Sequence, residues 1–207
     1  MKVIGINGSP RRGWNSDMLL DKALEGAMVK GAEVMKYDLF GMKYRGCISC
    51  FRCKKLGGDS YMKCALQDDL TPLLEEINDA DGVIISLPIY YGDVPGAVRN
   101  LYERLFFPPN NYSGQMKKNE KTKIALIYTM GAPDPAFNGN VIDKDKKTFE
   151  MFFNSVDTLN VTDTYQFSDY SKYASSVFSE QAKKKRREEV FPEDLKKAFE
   201  MGGKLVD

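Results

Sequence analysis

Apolar residues along the chain form two alternating patterns, short runs and longer helical repeats. The runs at residues 2–7, 33–37 and 123–128 contain β-branched and aromatic residues, and a weaker run follows at 161–167. Residues 82–87, GVIISL, form a nearly continuous apolar run, which is typical of a central strand buried on both faces of a parallel sheet. We therefore predict five strands.

Between these runs, apolar residues recur at helical spacing. In the first such segment they lie at i, i+3, i+4 and i+7, and the helix is expected to begin with Asn15 or Ser16 as its N-cap and to end at Gly31. The same spacing predicts further helices over residues 68–80, 96–106 and 145–159, and a closing helix from 192 or 193 to 201.

The alternation of strands and helices indicates a doubly wound α/β fold. Parallel neighbours need crossover connections, and right-handed crossovers place helices on both faces of the sheet. The length of 207 residues, 43% of them hydrophobic, suits one domain with its own core. We expect a single domain over residues 1–207, with a cysteine-rich loop at 41–67 and a C-terminal extension at 168–207.

Charge and histidine content narrow the function classes. Lys and Arg number 30 against 29 Asp and Glu, so neither a nucleic-acid partner nor the acidic surface of a dedicated electron shuttle is indicated. The basic run at 183–187, KKKRR, precedes Glu188 and Glu189 and is interpreted as a solvated helical face. The chain contains 0 His, which excludes Ser-His-Asp and Cys-His catalysis.

The first residues show none of the features of a signal peptide, and no apolar stretch reaches membrane-spanning length. We therefore expect a cytoplasmic protein with no membrane partner. Thiols stay reduced in that compartment, so the 4 cysteines are expected to serve metal or redox chemistry rather than disulfides.

Three predicted loops lie where ligands bind in open α/β sheets, beyond the carboxyl ends of the strands. The first, GSPRRGWNS at residues 8–16, combines short hydroxyl and amide donors with Arg11 and a following helix N-terminus. It lacks the P-loop and G-x-G-x-x-G patterns, so a small phosphomonoester fits better than a nucleoside triphosphate or NAD. An ordinary helix cap with a solvated arginine is the alternative.

The second and third loops offer an aromatic surface and backbone donors. LPIYYGDVPG, residues 87–96, places Tyr90 and Tyr91 directly after the buried strand, and their rings suit a planar heterocycle. YTMGAP, residues 128–133, offers a hydroxyl, a soft methionine side chain and amides around Gly131. If its loop stood alone, Tyr90 and Tyr91 would be interpreted as residues at the edge of the core near a tight turn, and YTMGAP by itself is weak evidence.

Three of the cysteines stand at every third position of GCISCFRC, residues 46–53. The spacing C-x2-C-x2-C is that of a ferredoxin-type loop around a [4Fe-4S] cluster, with Cys64 as a candidate fourth ligand. Structural zinc more often uses two separated C-x2-C pairs or histidine. A cluster, a zinc ion and idle thiols all remain open on spacing alone.

With these loops in this order, the sequence resembles the flavodoxin-like NADPH-dependent FMN reductase family, and GCISCFRC extends the resemblance to its iron-sulfur flavoprotein branch. The resemblance implies a five-stranded parallel sheet of order 2-1-3-4-5 that binds FMN. It implies that Ser9, Arg11, Asn15 and Ser16 hold the phosphate, that Pro88, Ile89, Tyr90 and Gly92 line the isoalloxazine, that Thr129, Met130 and Gly131 close its polar edge, and that Cys47, Cys50, Cys53 and Cys64 are the metal ligands.

The ten residues between Cys53 and Cys64 exceed the compact spacing of that branch, although Gly57 and Gly58 would let the loop fold back. No catalytic side chain is expected, because a flavin carries the redox chemistry itself. The expected function is an FMN-dependent oxidoreductase that takes electrons from NAD(P)H or a ferredoxin-like donor and relays them through a cluster.

The alternatives are a cluster-free NAD(P)H-dependent FMN or quinone reductase, a flavodoxin-like electron carrier without turnover, and a zinc-stabilised FMN-binding or regulatory protein. The resemblance also implies a homodimer or homotetramer.

Overall fold

A five-stranded, all-parallel sheet forms the centre of the computed structural model, which describes residues 1–110, 112–114 and 116–207. The strand order is β2-β1-β3-β4-β5, which confirms the predicted fold class and order. The strands are β1 (Lys2–Asn7), β2 (Glu33–Asp38), β3 (Gly82–Pro88), β4 (Asn119–Thr129) and β5 (Phe153–Val161).

Helices cover both faces of the sheet. They are α1 (Asn15–Val29), α2 (Leu70–Asp79), α3 (Gly96–Phe106), α4 (Gly139–Phe152), α5 (Glu180–Glu189) and α6 (Phe191–Lys204). Successive side chains of a strand point to opposite faces, and β3 shows this directly: Ile85 packs in the core beneath α2, α3 and α4, whereas Ile84 packs beneath α1 and α6. Both residues are 0% exposed, as the continuous apolar run predicts.

The structure contradicts the strand predicted at 161–167 and the helix predicted at 145–159. Helix α4 begins and ends earlier than expected, and β5 follows it from Phe152 to Phe153 without an intervening loop. Phe149, Phe152 and Phe153 are all buried. Apolar side chains therefore continue at similar spacing from the helix into the strand. For this reason, hydrophobic periodicity does not reveal where α4 ends and β5 begins.

In the parts of the chain that the structure describes, no helix is both long and apolar enough to span a bilayer.

Helices α1 and α6 pack against each other with their backbones in close approach. A Cβ atom at Gly202 would lie 1.7 Å from the carbonyl oxygen of Ala23, and one at Gly26 would lie 1.9 Å from that of Phe199. Gly203, the next residue, has no atom nearer than 3.6 Å to such a position. Glycine is thus required at Gly202 and Gly26 by packing.

Substitution Gly202→Ala is expected to destabilise the fold by about 1–3 kcal/mol, because an overpacked contact forces the two backbones apart. The matched variant Gly203→Ala should be neutral or stabilising by up to about 1 kcal/mol, because alanine favours a helix and meets no clash. Urea unfolding of both variants measures the difference. Equal free energies of unfolding for the two variants would contradict the close packing of α6 against α1.

Candidate functional site

The carboxyl ends of β1, β3 and β4 bring the three candidate loops together. The N–H of Gly8 donates to the carbonyl oxygen of Ser86 at 2.8 Å, and the Ser86 hydroxyl donates to the carbonyl oxygen of Ser16 at 2.7 Å. The hydroxyls of Ser16 and Thr129 are 2.8 Å apart, and the N–H of Ile89 donates to the Thr129 carbonyl at 2.9 Å. One residue from each loop therefore shares a continuous hydrogen-bond network.

The loop between β1 and α1 is held by local hydrogen bonds that leave one guanidinium available. The buried Ser9 accepts a hydrogen bond from the N–H of Arg11 at 3.2 Å. The Arg11 guanidinium lies 3.6 Å from the centre of the Trp14 ring. Stacking of this kind orients the cation without using its N–H donors. Arg11 is thus presented beside the N-terminus of α1 with donors free for an anion.

Asn15 and Ser16 do not cap α1 with their side chains, contrary to prediction. The N-cap is Trp14, without a side-chain hydrogen bond. The Asn15 amide instead donates to the Tyr165 carbonyl at 2.8 Å and accepts from Arg187 at 2.7 Å. Both Asn15 and Ser16 are buried because they fasten α1 to other loops, a use of capping residues that local sequence does not reveal.

The loop after β3 makes a tight turn at the rim of the site. The backbone groups of Tyr90 and Asp93 bond to each other in both directions, and Tyr91 (φ 50°) and Gly92 (φ 75°) adopt left-handed conformations between them. Tyr91 is fully exposed, whereas Tyr90 is partly covered. Burial raises the pKa of Tyr90, and the charge of nearby Arg11 opposes that rise. The first and second loops therefore face each other.

The loop after β4 contributes its backbone more than its side chains. Thr129 and Met130 are 4% and 3% exposed, and the Met130 sulfur accepts a hydrogen bond from Asn138 inside the core. The soft side chain expected to face a ligand therefore points inward. Gly131 keeps its place at the edge of the site, where Lys183 of α5 binds its carbonyl oxygen at 2.8 Å.

A buried carboxyl group lies behind the second loop. Asp145 of α4 is 2% exposed, accepts a hydrogen bond from the Tyr128 hydroxyl at 3.4 Å and lies 3.8 Å from Arg99. Arg99 also bonds to Asp93 in the rim turn. Burial raises the pKa of Asp145 to about 6, although the charges of Arg99 and Lys144 oppose this. The rim turn is thus coupled to a carboxyl group that titrates near neutral pH.

The cysteine loop lies along the whole of α3. At the start of the helix, the Tyr44 hydroxyl donates to the Ala97 carbonyl at 2.8 Å. Near its end, the N–H of Cys47 donates to the Glu103 carboxylate at 2.9 Å. Beyond the helix, the Lys54 ammonium bonds to the carbonyl oxygens of Phe107, Pro108 and Asn110. A cation at this position also interacts favourably with the helix dipole.

Arg104 of α3 connects the two ends of the cysteine loop. Its guanidinium donates to the Arg45 carbonyl at 3.2 Å, to the Cys64 sulfur at 3.3 Å and to both carboxylate oxygens of Asp68. Arg104 is only 2% exposed. Desolvation lowers the pKa of its guanidinium, but the hydrogen bonds to Asp68 and Cys64 outweigh this effect and raise the pKa. The long insertion before Cys64 therefore folds back to α3.

All four cysteines line one small cavity of about 20 Å³ at the end of α3. Cys53 is buried, Cys47 and Cys64 are partly covered and Cys50 is exposed. Burial raises the pKa of the Cys53 thiol, and the charge of Lys54 opposes that rise. No three Cys, Asp or Glu side chains within residues 1–110, 112–114 and 116–207 converge tightly enough to hold a metal ion. The structure thus gathers the four thiols without closing them into a ligand set.

The backbone around Cys50 is wound in an unusual way. Ser49 (φ 52°) and Phe51 (φ 55°) both adopt the left-handed conformation, which is uncommon for residues other than glycine. Alternation of left- and right-handed residues turns successive N–H groups into a concave surface, a form found at anion and iron-sulfur sites. Residues 41–67 also carry six Lys and Arg against one Asp. Both features favour a negatively charged group.

The two sites lie at opposite ends of α3. This helix runs from the carboxyl edge of β3 back to the amino end of β4, and its 11 residues correspond to about 16 Å. The rim turn precedes its first residue, whereas the cysteine cavity contacts Glu103, Arg104 and Phe107. Within one chain, the cysteines are therefore separated from the other candidate loops by about the length of a helix.

Three cations of these sites have no local sequence signal. Arg104 and Lys54 bind the cysteine loop, and Lys183 lies in the run that we interpreted as a solvated face. That interpretation is wrong for Lys183, which is 2% exposed. It holds for Lys185, which is exposed and pairs with Glu189 at 3.9 Å. Each of the three bonds joins residues at least 40 positions apart, beyond the reach of periodicity or spacing.

Substitution Asp145→Asn is expected to stabilise the protein at pH 8 but not at pH 4. The folded pKa of about 6 exceeds the unfolded value of about 3.9, so folding favours the neutral carboxyl, and wild-type stability declines as pH rises through 6. Asn stays neutral while retaining an acceptor for Tyr128, and the gain should approach about 2–3 kcal/mol above pH 7. Urea unfolding across pH 4–8 measures this gain in stability, with a substitution at an exposed position, Asp143→Asn, as control.

Destabilisation of Asp145→Asn at pH 8 would contradict this expectation and would mean that Arg99 requires the carboxylate of Asp145 as its partner.

Comparison with known proteins gives the family. The family model described as NADPH-dependent FMN reductase matches residues 1–137. An iron-sulfur flavoprotein of Methanocaldococcus jannaschii is 36% identical over 104 residues, 50% of this chain and 51% of that protein. An iron-sulfur flavoprotein of Archaeoglobus fulgidus is 29% identical over 134 residues, 65% of this chain and 58% of that protein. The chain thus spans about half the length of these relatives.

The fold is shared more widely than the sequence. An NAD(P)H:quinone oxidoreductase from Methanothermobacter marburgensis superposes with a TM-score of 0.68 over 100% of this chain and 98% of that one, at 17% identity. The family-model match confirms the predicted family, and the superposition confirms the predicted fold. The chain belongs to the NADPH-dependent FMN reductase family, and the curated relatives to which it is similar are iron-sulfur flavoproteins.

Proposed function

We propose that the chain is an NAD(P)H-dependent oxidoreductase that binds FMN at the carboxyl edge of its sheet. The observation that carries the proposal is the hydrogen-bond network through Ser16, Thr129 and Ile89, which joins the three loops into one site. A site at the carboxyl ends of β1 and β3, where the strand order reverses, is where flavodoxin-like folds bind their ligand.

The residues divide by the part of FMN that they suit. Ser9, Arg11 and the N-terminus of α1 offer hydroxyl, guanidinium and N–H donors to a phosphate, with Asn15 and Ser16 fixing that loop. The ring is assigned to Pro88, Ile89, Tyr90 and Gly92, and its polar edge to Thr129 and Gly131. Met130 is not assigned to it, because its side chain points into the core and both of its backbone groups bond to other residues. When bound, FMN supplies hydride acceptance and one-electron transfer. The exposed Tyr91 at the rim is available to cover a nicotinamide or quinone.

The cysteine cavity is assigned to a [4Fe-4S] cluster on Cys47, Cys50, Cys53 and Cys64. The donor chemistry fits, because four thiols line one cavity and cations of the loop offset the negative charge of a cluster. Arg104 supports Cys64 as the fourth ligand by holding its sulfur at the cavity. A cluster-free reductase is the second candidate, favoured by the lack of convergence of the thiols among the described residues.

The remaining assignments concern the whole protein. We assign residues 1–207 to one FMN-binding domain in a cytoplasmic homodimer or homotetramer, with a ferredoxin or a quinone as redox partner and no nucleic acid or membrane partner. The balanced charge of 30 Lys and Arg against 29 Asp and Glu supports turnover of small molecules over service as an acidic electron shuttle.

Substitution Arg11→Met is expected to weaken FMN binding about tenfold to a hundredfold, since a charge-assisted hydrogen bond contributes about 1.5–3 kcal/mol. Binding is measured by quenching of flavin fluorescence. Arg12→Met is the matched control, because Arg12 is exposed and pairs with Asp38 at 3.1 Å. Riboflavin lacks the phosphate, so its affinity should be the same in wild type and Arg11→Met. An equal loss of affinity for riboflavin would show that Arg11 does not bind the phosphate.

Substitution Cys64→Ala is expected to remove the cluster while FMN is retained, because the two sites lie at opposite ends of α3. The measurement is iron, sulfide and flavin content after anaerobic reconstitution, with the neighbouring exposed Lys63→Ala as control. Full iron content in Cys64→Ala would exclude Cys64 as a ligand. Wild type with flavin and no iron would favour the cluster-free reductase, and stoichiometric zinc would favour a structural loop.

A further inference from the structure

Helix α5 contacts the proposed FMN site, and one cation of its basic run is buried. Lys184 and Lys185 are exposed, as a solvated helix face requires. Lys183, in contrast, is 2% exposed. Burial of an ammonium group is costly unless it is paired and hydrogen-bonded. The partners of Lys183 therefore indicate what this helix does.

Three groups surround the Lys183 ammonium. Its Nζ donates to the carbonyl oxygen of Gly131 at 2.8 Å and lies 2.5 Å from the Asp163 carboxylate. It also lies 4.7 Å from the centre of the Phe178 ring. Gly131 belongs to the loop after β4, which we assign to the polar edge of the flavin ring. Lys183 thus connects the C-terminal extension directly to that loop.

The adjacent carbonyl groups of the loop are also bound. The Met130 oxygen accepts from the N–H of Thr164 at 3.0 Å, and the Ala132 oxygen accepts from the N–H of Asp163 at 2.9 Å. In a trans peptide the N–H points opposite to the carbonyl of the preceding residue. The N–H of Gly131 is therefore directed away from Thr164, and the N–H of Ala132 is directed away from Lys183. No described residue accepts a backbone bond from either N–H. The loop therefore offers two free donors.

A second cation of α5 reaches the phosphate loop. Arg187 donates to the Asn15 side chain at 2.7 Å and lies 4.0 Å from the centre of the Phe191 ring. Residues i and i+4 of a helix lie on the same face. Lys183 and Arg187 therefore bind two of the three loops of the site from one face of α5.

We propose that α5 is part of the FMN site and that Lys183 is a positioning residue that favours the reduced flavin. This inference rests on the proposed function. Lys183 holds the Gly131 carbonyl so that the N–H of Ala132 is turned to the ring edge, beside the N–H of Gly131 that Thr164 orients through the Met130 carbonyl. The Lys183 ammonium adds positive charge behind these donors. Two-electron reduction places negative charge on the pyrimidine edge of a flavin, so preorganised donors and a cation there stabilise the reduced form more than the oxidised form.

The test is the midpoint potential of bound FMN in Lys183→Met. We expect about a tenfold loss of affinity for reduced relative to oxidised FMN, which lowers the potential by about 30 mV for a two-electron couple. An anaerobic titration against a reference dye, followed at the flavin bands, measures the potential. Lys184→Met, at the next and exposed position, should match wild type.

Asp163→Asn provides a test of opposite sign in a variant that should fold. Asp163 has a φ of 51°, a left-handed conformation that Asn adopts as readily as Asp, and its side chain is 31% exposed. Loss of this carboxylate leaves the Lys183 charge without its neutralising partner, so the potential should rise. This variant decides the matter if Lys183→Met does not fold.

The outcomes separate the inference from the function on which it rests. Failure of wild type to bind FMN would reject the proposed function. FMN binding with the wild-type potential in Lys183→Met, or in Asp163→Asn, would overturn the role of Lys183 and leave the proposed function standing. A potential that falls in the first variant and rises in the second supports both.

Discussion

The parallel pairing of β3 with both β1 and β4 is the constraint on which the proposed FMN site depends. Because these three strands run in the same direction, their carboxyl ends lie at one edge, and the loops that follow them meet there. Ser86 makes the arrangement specific. It is a polar residue inside an apolar central strand, 0% exposed, and it bonds to the loop after β1 through both its carbonyl and its hydroxyl.

Helix α3 carries the second site as a direct consequence of the same topology. It begins beside the rim turn and ends beside the cysteine cavity, so one rigid element sets the positions of both. Arg104 is the link between that helix and the cysteine loop. Removing one partner of a buried ion pair typically costs about 3–5 kcal/mol, so the Arg104 contacts to Asp68 and Cys64 are a strong restraint on where the fourth thiol lies.

Sequence reasoning predicted those features whose cause is local. The apolar run of β3 follows from burial on both faces, and α3 agrees with the expected range because its apolar spacing is regular. It failed at Phe152 and Phe153, where helix passes into strand without a loop. It also missed Lys183 and Arg104, because a basic residue has the same local pattern whether it is solvated or buried against a distant carbonyl.

The most direct test of the account is the composition of the anaerobically purified wild-type chain, measured as FMN, iron and acid-labile sulfide together with its absorption spectrum. The account predicts one FMN with about four iron and four sulfide atoms per chain, and flavin bands that bleach on addition of NAD(P)H. A chain that binds no flavin under these conditions would contradict it.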